Sequence, residues 1–218
     1  MGVHKYHYNW DFFEVDSEEL YYFLGFVASD GYISGNEIEI GLNEKDKHIL
    51  ERFTELICPE KPLHYKPRTN SYTLKISCRN KIKRFKQFFD VTSNKKHEEI
   101  SFPIIPTQYL KDFIRGYVDG DGTMDTTKGY KGDKVYIGPR LRILGNPKFL
   151  QGLNEATKTF YPHKTNAINQ KGKENVYVIT YNFSTAKAIM EWLYDGSNIH
   201  LNRKYANYLK LVNHNMKI

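Results

Sequence analysis

The chain has 218 residues, with 32 Lys and Arg against 25 Asp and Glu and a net charge of +7. That length supports a sizeable core, and the basic balance favours a polyanionic partner. No apolar run approaches the ~20 residues that cross a bilayer, and the polar start MGVHKYHYNW lacks a secretory core, so an intracellular setting is expected.

Cys58 and Cys78 form neither a Cys-x-x-Cys pair nor a disulfide framework and read as buried free thiols. The 15% aromatic content, with Tyr exceeding Phe, suits a small α+β core whose hydroxyls reach the rim.

In chain order, Asp16 and Glu19 have capping-box spacing and predict a helix through YFLGFVASDGYI that stops at Asp30-Gly31. After GYIS, the segment NEIEIGL alternates Ile38, Ile40 and Leu42 with Glu37, Glu39 and Gly41, as a half-buried strand does. EKDKHILERFTELI carries Ile49, Leu50, Phe53, Leu56 and Ile57 on one helical stripe. PLHYKP and SYTLKIS predict a second strand pair, with Tyr72, Leu74 and Ile76 inward and Thr73, Lys75 and Ser77 outward. NKIKRFKQFF reads as a basic amphipathic helix, and the aperiodic TSNKKHEEISFPIIP as a connector.

The order then repeats: LKDFIRGYVDG, KVYIGPRLRIL, PKFLQGLNEATKTF, KTNAINQ, NVYVITYN and TAKAIMEWLY, with one longer hairpin carrying TTKGYKGD and a final helix in LNRKYANYLKLV. Gly25 and Gly116 stand 116 − 25 = 91 residues apart, as do Asp30 and Asp121. The expected architecture is α+β, two pseudo-symmetric αββαββα halves over 1–90 and 107–218 joined by a linker over 91–106. Gly25 with Ala28 and Ser29, and Gly116 with Gly120, place small residues one turn apart, so the two duplicated helices are expected to approach closely. Gly within a helix costs about 0.5 to 1 kcal/mol against Ala, and a tight helix pair explains why both copies carry it.

Packed in parallel about a pseudo-twofold axis, such helices would bring Asp30 and Asp121 together at their C-terminal ends, where the helix dipole and the other carboxylate both oppose the charge. A cation between them would relieve this, and hard oxygen ligands suit Mg²⁺ and phosphodiester hydrolysis. The eight His residues are scattered without metal-ligand spacing. Asp119, Asp121 and Asp125 lack the glycine and closing Glu of a calcium loop, with Met124 at the glycine position.

FLGFVASDG and IRGYVDGDG resemble the paired LAGLIDADG motifs of single-chain homing endonucleases, and SFPIIPTQYLKDFIRGYVDGDG and IHLNRKYANY are similar to further family segments. The first copy departs from the pattern, with Ala28 where the second has Asp119. The resemblance implies motif helices at a central interface and sheets forming a saddle on double-stranded DNA. It implies Mg²⁺ at Asp30 and Asp121, with Ser29 and Gly120 beside them, and hydrolysis of both strands by a monomer. It also implies a helper lysine, for which Lys95 or Lys96 and Lys204 or Arg203 occupy plausible segments; we take Lys96 and Lys204 as candidates.

The outward strand residues Lys66, Arg68, Thr73, Lys75, Arg140, Arg142, Asn166, Asn169 and Lys171 are donor-rich, as base edges and phosphates require, although a solvated sheet face has the same composition. Glu37 and Glu39 sit awkwardly against DNA. Two other readings stand beside cleavage: a non-cleaving binder, such as a maturase gripping intron RNA or a transcription regulator, and a protein-binding α+β module whose duplicated helices are only an interface.

Overall fold

The computed structural model describes residues 6–34, 36–77, 79–89, 100–164, 166–172 and 176–213. Among the described residues no helix is long and apolar enough to cross a membrane. The connector expected over 91–106 falls largely outside them, as do Lys95, Lys96 and Cys78, while Cys58 is a buried free thiol.

Helix α1 (Glu18–Asp30) begins where the Ser17 side chain accepts a hydrogen bond from the Leu20 amide at 3.1 Å. Ser17 is therefore the N-cap; Asp16, one residue earlier, accepts from the Tyr21 hydroxyl at 3.0 Å instead. Every residue from Leu20 to Ser29 is buried, so this helix has no solvent face.

Strands β1 (Gly31–Ser34) and β2 (Glu37–Asn43), helix α2 (Lys47–Ile57), strands β3 (His64–Lys66) and β4 (Ser71–Ser77) and helix α3 (Arg79–Phe88) complete the first half. The second half repeats them as α4 (Leu110–Asp121), β5 (Gly122–Lys131), β6 (Lys134–Gly145), α5 (Pro147–Phe160), β7 (Ile168–Gln170), β8 (Tyr177–Asn182) and α6 (Phe183–Tyr194), and adds α7 (Asn202–Asn213).

Two antiparallel sheets result, ordered β1-β2-β4-β3 and β5-β6-β8-β7, the same topology twice. The back face of the first sheet packs Ile33, Ile38, Ile40, Leu74 and Ile76 into the core, and that of the second packs Met124, Leu141, Ile143, Ile179 and Tyr181. Each such side chain contributes about 1.5 to 3 kcal/mol of burial. The fold expected from periodicity is the fold observed.

The halves meet along α1 and α4. A Cβ on Gly25 would overlap the Phe113 carbonyl, a Cβ on Gly116 would overlap the Tyr22 carbonyl, and one on Gly120 would overlap the Ser29 hydroxyl. Main chain therefore touches main chain across the interface, as the spacing of small residues predicts.

Gly31 and Gly122, just past the two helices, have extended backbones (φ −75° and −88°) rather than the left-handed cap that a terminal glycine suggests. Glycine is needed there because a Cβ would lie 2.6 Å from the Val27 carbonyl oxygen in one copy and 2.5 Å from that of Val118 in the other.

Gly25→Ala and Gly116→Ala should each lower unfolding free energy by about 3 kcal/mol or more, since neither backbone can yield without separating the halves. Gly132→Ala, in an open turn at φ 58° with nothing within 4 Å, should cost only about 1 to 2 kcal/mol. Urea unfolding midpoints of the three variants measure the difference.

Candidate active site

Asp30 and Asp121 are the last residues of α1 and α4, and each is followed at once by the first strand of its own sheet. The Gly31 amide donates to the Val27 carbonyl and the Gly122 amide to the Val118 carbonyl, so both helices end on the same turn. Both aspartates line one cleft of about 320 Å³, together with Ser29, Tyr117, Gly145 and Asn146.

Asp30 is exposed and Asp121 half-buried, whereas Ser29 beside them is buried. The Tyr117 phenol, donating to the Leu144 carbonyl at 2.9 Å, has its pKa pushed well above the ordinary value by burial and then by the fields of Asp121 and Asp30. It keeps its proton near neutral pH.

The first acid of the Asp-Gly-Asp run has a different place. Asp119 is fully buried and accepts from the Tyr22 hydroxyl at 2.7 Å, the Tyr194 hydroxyl at 2.6 Å and the Leu201 amide at 2.8 Å. Burial pushes its carboxyl up while Lys204 and these three donors pull against it. Its partners come from α1, α6 and the segment before α7, so it is an anchor beneath the site.

Arg115, one turn earlier, is also fully buried and donates to the Ile199 carbonyl (2.9 Å), the Leu193 carbonyl (3.0 Å) and the Glu18 carboxylate (2.8 Å). Its only sequence signal is a lone charge inside the apolar run before Gly116.

Lys204, expected as a helper lysine, is 6% exposed. Its ammonium donates to the carbonyls of Val118 (2.6 Å), Gly122 (2.8 Å) and Gly120 (3.3 Å). It caps the negative end of α4, within reach of the fields of Asp30 and Asp121. The Gly120 carbonyl has a second lone pair left. Arg203, the alternative, is held by both oxygens of Asp46 at 3.0 and 2.9 Å, and so ties α7 to the first half.

The front faces of the sheets are pre-paired. Lys66 and Lys75 each sit 2.9 Å from a different oxygen of Glu39; burial works upward on that carboxyl, but the two lysines outweigh it and hold it below its usual range. In the second sheet Arg140 grips Asp125 with two bonds of 2.7 and 2.9 Å, and Arg142 adds one of 2.6 Å. The Arg140 bond leads in holding the Asp125 carboxyl low. Glu39 and Asp125 thus hold the long cationic side chains in place on the sheet surface.

Arg68 is exposed in the turn after β3, and Asn169 and Lys171 are exposed at and just after β7. Asn166 donates to the Thr180 carbonyl. Thr73 departs from expectation: it lies on the front face opposite Gly41 but is only 2% exposed. It sits on an inner strand between β2 and β3, paired with Gly41 on one side and His64 on the other.

Beyond Asp121, Gly122, Thr123 and Met124 border a second cleft of about 360 Å³ with Arg203, Lys204, Asn207 and Lys210.

No protein-family model and no curated protein sequence matches the chain. Solved structures do. The chain is similar to the I-LtrWI LAGLIDADG homing endonuclease bound to target DNA, with a TM-score of 0.63 and 12% identity over 89% of this chain and 88% of that one. It has the LAGLIDADG homing-endonuclease fold.

I-SmaMI bound to an uncleaved DNA target in the presence of calcium ions shares that fold at a TM-score of 0.62 and 12% identity, covering 90% of each chain. The LAGLIDADG meganuclease I-AabMI bound to uncleaved DNA does so at 0.58 and 12%, covering 88% of each. In this LAGLIDADG scaffold the residues that the motif spacing selects, Asp30 and Asp121, reach one cleft, and the acid present in only one copy, Asp119, does not line it.

Burial lowers the Lys204 pKa from 10.5 to about 8. Between those values the unfolded chain holds a proton that the folded chain has released, so this group's contribution to stability rises with pH across that window. Wild type should gain on Lys204→Met as pH goes from 8 to 10, with a slope of up to about 1.4 kcal/mol per pH unit, read from urea unfolding at each pH.

Proposed function

We propose that the protein is a site-specific DNA endonuclease that hydrolyses phosphodiesters with a divalent cation held at Asp30 and Asp121. One observation carries this reading: two duplicated helices deliver one carboxylate each, from equivalent positions, to a single cleft, and each continues directly into a sheet bearing lysines or arginines on its front face. A surface-binding module has no use for two acids placed together, because their repulsion opposes folding. The DNA-bound state of I-LtrWI, I-SmaMI and I-AabMI supports the same reading.

The donors suit Mg²⁺. The cleft offers the carboxylates of Asp30 and Asp121 beside Ser29, whereas Gly120 does not line it and its carbonyl accepts from Lys204; among the described residues no group of three or more His, Cys, Asp or Glu gathers into a dedicated metal cage. Mg²⁺ characteristically takes one or two carboxylates and leaves its other positions to water and substrate phosphate. When bound, it supplies Lewis-acid polarisation of the phosphoryl group and neutralises developing charge.

The chain's own residues do the remainder. Asp30 and Asp121 hold the charge that the cation balances. Lys66, Lys75, Arg140 and Arg142 exchange their Glu39 and Asp125 partners for phosphates and base edges as DNA docks. Lys204 and Asp119 keep the end of α4 in place so that Asp121 does not move. The halves 1–90 and 107–218 each take one half-site, so a single chain cuts without a partner copy.

Asp30→Asn and Asp121→Asn should each reduce Mg²⁺-dependent cleavage of a selected duplex by about three orders of magnitude, equivalent to about 4 kcal/mol of transition-state stabilisation. Binding of the same duplex in Ca²⁺ should persist, with affinity falling linearly in log salt. Full-rate cleavage by the double variant would refute the assignment.

A further inference from the structure

The two halves share strand order but differ in strand length. β5 has 10 residues against 4 in β1, six more, and β6 has 12 against 7 in β2. β8 pairs with β6 only from Arg140 to Gly145, so Thr126–Lys131 and Lys134–Pro139 form a ribbon of two strands alone.

Among the described residues the back of this ribbon is open: Tyr130, Val135 and Ile137 are 74%, 47% and 51% exposed. A two-stranded ribbon without a third strand or a covering helix is marginal by itself. Its front face, the side of Arg140 and Arg142 by register, carries Thr127 and Tyr136, and at the tip it sets Lys131 directly opposite Lys134. Like charges at facing positions repel, and a phosphate near them relieves the repulsion.

Phe183 meets the ribbon from the front. Phe183, the first residue of α6, has φ 51°, a left-handed backbone that side-chain-bearing residues rarely adopt. Its ring lies in a notch made by two glycines. A Cβ on Gly129 would stand 2.6 Å from the ring Cζ, and one on Gly138 would overlap the ring itself. Gly129 and Gly138 sit diagonally across β5 and β6 on the front face, so both strands are gripped at once.

We infer that Phe183, seated on the Gly129 and Gly138 notch, braces the extended β5–β6 ribbon so that the C-terminal half reads a longer stretch of duplex DNA than the N-terminal half. This rests on the nucleic-acid reading above and names the shape of its site. Six extra residues at about 3.3 Å each carry the ribbon roughly 20 Å further. At 3.4 Å per base step that is roughly six base pairs. Phe183 is a positioning residue for specificity, and the recognition site is lopsided about the cut.

The test is selection from a random duplex pool by the full chain in Ca²⁺, with cut positions mapped in Mg²⁺ and base preference scored outward from the cut. Wild type should show one arm roughly six base pairs longer than the other, with discrimination of roughly fivefold or more per contacted pair. Phe183→Gly keeps the backbone conformation and removes the ring. It should bring the outer positions of the long arm to within about twofold of no preference and leave the inner positions and the short arm unchanged. Gly138→Ala, which drives a methyl into the ring, should do the same and serves if Phe183→Gly does not fold by circular dichroism. Equal arms in wild type, or outer preferences untouched in a folded variant, overturn this inference alone. A chain that enriches no sequence overturns the nucleic-acid reading and this inference with it.

Discussion

The structure depends on the contact of two backbones. At Gly25 and Gly116 the motif helices come so close that a single methyl on either would overlap a carbonyl of the other. That closeness buries α1 on every side and brings two helix C-termini to one place. Both the fold and the cleft follow from it. The glycine cost within each helix is the condition for uniting two half-cores, each of which would otherwise leave a sheet and a helix face open to water.

Carboxylates at paired helix ends oppose the dipoles, and the second half answers with buried charge. Lys204 occupies three carbonyls at the end of α4, and Asp119 below it collects two tyrosine hydroxyls and an amide. The first half has Ala28 at the position of Asp119 and no counterpart of α7 among its described residues. The duplication is therefore symmetric where geometry matters and asymmetric in how each helix end is held. Arg203, reaching from α7 to Asp46, makes the additional helix a strap across both halves.

On the sheet faces, acids that would repel DNA serve to arrange cations. Glu39 gathers Lys66 and Lys75, and Asp125 gathers Arg140 and Arg142. Such exposed pairs add little stability because water and salt screen them. They limit the rotamers of four long side chains, which under the proposed function would reduce the ordering cost of docking a polyanion.

Much of this was legible in the sequence. The period-2 and period-3.6 patterns give every element from Gly31 to Ile57 and from Pro147 to Tyr194 within a few residues, and the 91-residue repeat gives the duplication and the equivalent places of Asp30 and Asp121. These depend on neighbours in the chain, whose geometry the local pattern carries. The sequence did not say which aspartate of Asp119-Gly-Asp121 is buried, that Lys204 turns inward, that Thr73 is covered, or that Ser17 rather than Asp16 caps α1. Apart from the cap, a local choice between adjacent side chains, these outcomes were decided by tertiary structure. Asp119 takes partners 97, 75 and 82 residues away, and Lys204 takes carbonyls more than 80 residues away. The charge state and direction of a buried polar group follow from whatever distant atoms satisfy it, and those atoms are in place only once both halves have closed on each other.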